Sequence, residues 1–186
     1  GKLLRGLPLS PRLARMVVDA ARRGEGRLAA DLALLVSERG LGGDDIHLGH
    51  RLDRFRSDRS RRAEDARRMA AGWLREVTAA PDIGSVPERA GAVLALAYPD
   101  RIARARGKDG DFVLANGRGG SVDPVSPLAR ETFLAVAEIG GVAARARILS
   151  AAPIILAEIE ESFADRIESR EEVTFDRAAA ALRAKR

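Results

Sequence analysis

The chain has 186 residues, 46% of them hydrophobic and 32% charged, with a net charge of +5 and no cysteine. That composition describes a globular chain of one or two domains and excludes disulfides and thiolate metal sites. No run of about 18 apolar residues offers a membrane-spanning helix, no secretory leader is recognisable, and the lack of cysteine fits a reducing cytoplasm.

The basic residues are almost all arginine; only Lys2, Lys108 and Lys185 are lysine. Arginine forks onto phosphate and stacks on bases better than lysine does. A GC-rich coding preference and an acidic partner such as nucleic acid are both open as explanations. The chain opens on Gly1 rather than methionine, with helix-like sequence at once. The expectation is a piece of a longer protein.

Ser10-Pro11 predicts a helix start, with serine as N-cap and proline in the first turn. Leu13, Met16, Val17, Ala20 and Ala21 follow at helical spacing, and Gly24 ends the pattern. A second helix is expected over about residues 26–39, with Leu28, Leu32, Leu35 and Val36 as its stripe. Asp44 or Asp45 caps a short helix near residues 46–55. His47 and His50 sit there without a third ligand, so they read as surface or packing residues rather than a metal site. The arginine-dense segment 51–62 leads into a helix over about 61–77, with Ala66, Ala70, Trp73, Leu74 and Val77 inward. A solvated, salt-bridged surface and a phosphate-contacting patch compete as readings of its arginines. Ser85 and Glu88 form a capping box for a helix that Pro99 stops.

From Arg101 the period changes to two. In Arg101-Ile-Ala-Arg-Ala-Arg106, Arg104 and Arg106 share a side with Ile102. Residues 107–110 form a turn with Lys108 at its tip, and 112–115 close a hairpin. Residues 116–120, with Arg118, read as a flexible loop that lacks the features of a phosphate-binding loop. Residues 132–138 and 142–150 predict a second hairpin about Gly140-Gly141, in which Arg145 and Arg147 face water. Pro153 is expected to start a helix with an acidic outer side of Glu158, Glu160 and Glu161. A last strand is expected over 166–176, and 177–186 read as helical or frayed.

The fold class is therefore α+β: a helical bundle over residues 1–99, then a small antiparallel, oligonucleotide-binding (OB)-like barrel with one helix over 100–186. That helix falls between the fourth and fifth expected strands. The candidate nucleic-acid-binding residues are Arg101, Arg104, Arg106, Lys108, Arg118, Arg145 and Arg147. Exposed aromatics for stacking are scarce, because Phe112, Phe133 and Phe175 read as core. Binding would be directed at the backbone of single-stranded RNA or DNA and would depend on salt. No catalytic or metal-ligating constellation is present in the pattern. A protein-docking module without nucleic-acid affinity is the alternative.

Four blocks carry a resemblance: Leu7-Pro-Leu-Ser-Pro-Arg-Leu-Ala-Arg-Met16, Ala30-Asp-Leu-Ala-Leu-Leu-Val-Ser-Glu-Arg39, Leu94-Ala-Leu-Ala-Tyr-Pro-Asp-Arg-Ile-Ala-Arg104 and Leu114-Ala-Asn-Gly-Arg-Gly119. In this order they resemble the helicase-associated region of the HrpB family of bacterial DEAH-type ATP-dependent helicases. The resemblance implies a helical ratchet domain followed by an OB-like domain. Both would lie after two RecA-like motor domains and a winged helix, and help to close a channel around single-stranded RNA. The chain has no P-loop lysine motif, no Asp-Glu-Ala-His box and no arginine-finger motif. The family's ATP and magnesium sites therefore map to no position here, and no family role is carried onto Ser10. What the resemblance implies is a cytoplasmic accessory fragment, inactive alone, whose partners are single-stranded nucleic acid and the motor domains of the same polypeptide.

Overall fold

A computed structural model describes residues 7–77, 79–84, 86–142 and 146–167, together with the backbone of 172–176 and 181–185. Helices α1 (Pro11–Arg22), α2 (Gly26–Ser37), α3 (Leu48–Ser57), α4 (Arg61–Arg75) and α5 (Ala90–Ala97) come first. Strands β1 (Ile102–Ala105), β2 (Asp111–Leu114), β3 (Gly119–Ser121), β4 (Phe133–Gly140) and β5 (Arg147–Pro153) follow, then helix α6 (Leu156–Phe163) and strands β6 (Glu172–Asp176) and β7 (Ala181–Lys185). No helix among the described residues is long and apolar enough to cross a membrane.

The helical half is built around α2. Its residues from Leu28 to Leu35 are all buried, more than the expected single stripe, so it is enclosed by its neighbours. Pro11 stands in the first turn of α1 as expected. The Ser10 side chain, however, makes no cap; only its carbonyl takes the Ala14 amide, at 2.9 Å. The expected capping box includes Ser85, which lies outside the described residues.

Helix α5 has seven of its eight residues buried. It wedges between the bundle on one side and β4 and β5 on the other. Gly91 makes this possible, since a Cβ there would sit 1.8 Å from the Pro153 carbonyl oxygen. Ala135, Ala137, Ala152 and Ile154 consequently join the helical core, while Ala103, Phe112, Leu134, Val136 and Ile148 fill the barrel. Strand β4 is thus buried on both faces, one supplying each core.

The barrel is closed in the order β1-β2-β3-β5-β4, with only β3 and β5 parallel. Several expectations are corrected here. The last two residues of the presumed loop at 116–120 belong to strand β3, because Gly119 and Gly120 pair with Val113 and Phe112. Pro153 ends a strand rather than starting a helix; it pairs with Leu134, and its missing amide donor costs nothing at a strand terminus. The barrel is complete before α6, so no helix interrupts it. The strand expected over 166–176 starts at Glu172, and 181–185 is its antiparallel partner in a separate two-stranded sheet instead of a helix. Alanine and arginine are among the best helix formers, but propensity is a weak prior, and ladder pairing overrides it here.

Candidate nucleic-acid interface

The ladder register sets which side chains share the outer face of the barrel. Arg104 of β1 lies opposite Val113 of β2, and Val113 lies opposite Gly119 of β3. One step along, the Arg106 amide bonds the Asp111 carbonyl at 2.8 Å, Asp111 pairs with Ser121, and Ser121 pairs with Arg147 of β5. Residues directly opposed across a sheet point to the same side. Arg106, Asp111, Ser121 and Arg147 therefore form one outward row across four strands, with Arg104, Val113 and Gly119 as the row beside it.

Small side chains make the centre of this face shallow. The Arg106 guanidinium leans across it, with Nη2 3.9 Å from where a Cβ of Gly119 would stand. Arg104, Arg106, Lys108, Arg118 and Arg147 are exposed. None of them makes an ion pair among the described residues. Lys108 sits in the β1–β2 turn. Arg118 closes the β2–β3 turn, where its amide bonds Asn116 Oδ1 at 3.1 Å and its carbonyl takes the Leu114 amide at 2.8 Å.

Arg101 sits apart from this face. It ends a 3-10 turn (Pro99–Arg101) before β1, donates to the Ala137 carbonyl at 2.7 Å and lies 4.8 Å from the Tyr98 ring centroid. Arg12 also approaches Tyr98, at 5.7 Å, and pairs with Asp100 at 2.6 Å. Burial pushes the Tyr98 phenol above its ordinary pKa, against the pull of both guanidinium groups. The two arginines tie the bundle to the barrel at this joint. Arg145 lies outside the described residues.

Along β1 the outer face runs from Arg106 through Arg104 to Ile102. Ile102 lines a cleft of about 380 Å³ with Asn116, Phe163 and Arg166, and Phe163 and Arg166 also line a neighbouring cleft of about 570 Å³ at the joint, together with Arg12, Arg15 and Arg23. Three of its arginines are engaged: Arg12 by Asp100, Arg15 by Asp19 at 3.3 Å, and Arg23 by Ser162 at 3.2 Å. Sequence reasoning missed this cleft, because its residues come from opposite ends of the chain. No group of three or more His, Asp or Glu residues that could hold a metal ion occurs among the described residues.

Of the seven arginines in 51–67, Arg51, Arg56 and Arg67 turn inward, whereas Arg54, Arg59, Arg61 and Arg62 are exposed. Arg51 is buried and donates to the Leu35 carbonyl at 2.8 Å and the Leu41 carbonyl at 3.1 Å. Arg56 holds the buried Asp31 at 3.0 Å. Burial raises the pKa of Asp31, and Arg56 opposes that rise. Arg67 donates to the Phe55 carbonyl at 2.6 Å and the Asp58 carbonyl at 2.8 Å. Glu158 is not on a wet acidic side as expected; Arg89 bridges it, at 2.8 Å, to the buried Glu25, also at 2.8 Å.

No family model matches the chain. Over 99% of its length the chain is 30% identical to the ATP-dependent RNA helicase HrpB of Escherichia coli (strain K12), of which it covers 22%. Among solved structures it is similar to the E. coli DExH-box NTPase HrpB, with a TM-score of 0.75 and 28% identity. A second crystal structure, of the E. coli DEAH/RHA helicase HrpB, gives a TM-score of 0.68 and 26% identity. In both, 99% of this chain matches 22% of the other. The chain thus spans about a fifth of the relatives it matches and fits a fragment of an HrpB-type helicase.

Proposed function

We propose that this chain is the accessory region of an ATP-dependent RNA helicase and that its barrel face contacts single-stranded nucleic acid. The observation that carries this reading is the four-strand row with arginine at both ends, Arg106 and Arg147, in which neither makes an ion pair among the described residues although the exposed Asp111 stands beside Arg106. Several guanidinium groups beside a shallow strip of glycine, serine and valine with a single carboxylate, Asp111, suit a phosphate backbone. No aromatic side chain among Phe112, Phe133 and Tyr98 is exposed on this face. The contact is therefore electrostatic and weakly sequence-dependent. Arg104, Arg106, Lys108, Arg118 and Arg147 are the proposed contacts; Arg101 serves the joint.

ATP, magnesium and hydrolysis belong to the motor domains of the longer relative, and the accessory region supports that motor in the cytoplasm. Fluorescence anisotropy with single-stranded RNA and a matched duplex, across a salt series, tests the reading. A preference for the single strand with a negative salt slope is expected. The double variant Arg104→Ala/Arg106→Ala should reduce that slope by about 1.4, at roughly 0.7 per lost phosphate contact on a single strand. An unchanged slope in a folded double variant would remove this face from the binding site.

A further inference from the structure

At the opposite end of β5 from Arg147, six residues and so about 20 Å along the strand, lies a second surface of contrary chemistry. A groove of about 460 Å³ is lined by residues that include His47, His50, Asp53, Glu88, Pro153 and Ile155. Of its lining, Ile155 is 63% exposed, and Leu156 and Val86, next in sequence to the lining residues Ile155 and Pro87, are 50% and 47% exposed. Its charge is negative in a chain of net charge +5. Asp53 and Glu88 are both exposed, and neither makes an ion pair among the described residues. Glu158 also lines the groove, but its oxygens are taken by Arg89 and by the Ile155 amide at 3.1 Å.

The walls are fixed before anything binds. His47 caps α3, its Nδ1 accepting the Gly49 amide at 3.1 Å. The His50 ring stacks on it with centroids 4.0 Å apart, and His50 Nδ1 meets Asp45 at 3.1 Å. Gly49 allows the fold-back, since a Cβ there would lie 2.9 Å from His47 Cε1. The opposite wall is the end of β5, pinned to α5 at Gly91. Arg89 locks the adjoining turn to both α2 and α6.

We propose that this groove docks a basic, apolar-anchored polypeptide segment of a protein partner, its apolar residues over Ile155 and Leu156 and its cations beside Asp53 and Glu88. Charge complementarity selects that occupant. A phosphate backbone is repelled by the same carboxylates, so this surface and the barrel face take different partners. A preformed groove lowers the ordering cost of binding. The proposal stands independently of the nucleic-acid reading.

The test is anisotropy of a short fluorescent peptide carrying leucine and arginine on one helical face, titrated with the 186-residue chain. Saturable binding is expected, with a Kd on the order of 10–100 μM. The variant Asp53→Lys/Glu88→Lys should weaken it about tenfold, and Leu156→Ser should weaken it as well, with unchanged melting curves. Arg104→Ala/Arg106→Ala should leave peptide binding intact, and single-stranded RNA should not displace the peptide. Absence of saturable binding overturns the proposal. So does equal binding of a peptide with glutamate in place of arginine, undiminished binding by Asp53→Lys/Glu88→Lys, or displacement by RNA. Concentration-dependent self-association abolished by the same substitutions would assign the groove to a second copy and overturn it too.

Discussion

Between residues 51 and 67 three of the seven arginines turn toward the protein: Arg51 to the Leu35 and Leu41 carbonyls, Arg56 to Asp31, Arg67 to the Phe55 and Asp58 carbonyls. On the barrel, Arg104, Arg106 and Arg147 turn toward solvent and pair with no acid among the described residues. The difference follows from what each secondary structure leaves open. The last carbonyls of a helix have no partner within it. Leu35 lies in the last turn of α2, Phe55 lies in that of α3, and Asp58 is the C-cap of α3. An arginine nearby completes such a terminus and also favours its negative end. Most strand carbonyls are used up by the ladder; Ala137, at the irregularity of β4, is free to accept Arg101, whereas Arg104, Arg106 and Arg147 reach no backbone acceptor among the described residues. Arginine density alone therefore does not mark a binding surface; the vacant acceptors around it decide.

The strongest way to break this contrast is Arg51→Ala. It strands two buried carbonyls and opens a void, for a cost of about 3 kcal/mol. Thermal melting should fall by about 10 °C at the ~2–4 °C per kcal/mol typical of a chain this size, with RNA affinity of the folded fraction unchanged. Asp31→Asn comes next, since it weakens a buried ion pair rather than deleting its frame. About 2 kcal/mol is expected in a denaturant titration, less than the 3–5 kcal/mol of a fully buried pair because Arg56 is partly exposed.

A third test uses pH. Burial is the largest influence on His47 and lowers its pKa from the ordinary 6.5. The unfolded chain then takes up the proton first, so the stabilising effect is complete above pH 6.5 and is lost as pH falls below it. Protonation also removes the acceptor that caps α3. His47→Asn, which keeps a capping oxygen, should flatten the stability profile below pH 6.5. A profile unchanged by the substitution would move the acid sensitivity elsewhere. Smallest is Arg147→Ala, which should shift melting by no more than about 1–2 °C while weakening RNA binding. Large destabilisation there would mean that the barrel arginines are as structural as Arg51.

The 3.6-residue spacing of Leu13, Met16, Val17 and Ala20, and of Ala66, Ala70 and Trp73, was enough to place α1 and α4. Alternation placed β1 and the shared side of Arg104 and Arg106. Strand β3 escaped because Gly119-Gly-Ser121 has poor strand formers, although Asn116-Gly117 just before it is a hairpin-turn signal. The four-strand row joins Arg106 to Arg147 through partners far apart in sequence, and local pattern cannot align them. The internal roles of Arg51 and Arg101 depend on carbonyls 10 to 36 residues away.

The contact of Gly91 with the Pro153 carbonyl has a mechanical consequence. With no Cβ between helix and strand, and with β4 lining two cores at once, the bundle and the barrel are packed directly against each other across residues 97–102. A load applied at the barrel face would pass to α1 and α2 as rigid displacement and would not be absorbed by bending at the joint. The unit would behave as a lever: a strand of nucleic acid pulled across Arg104 and Arg106 would move the helices with it.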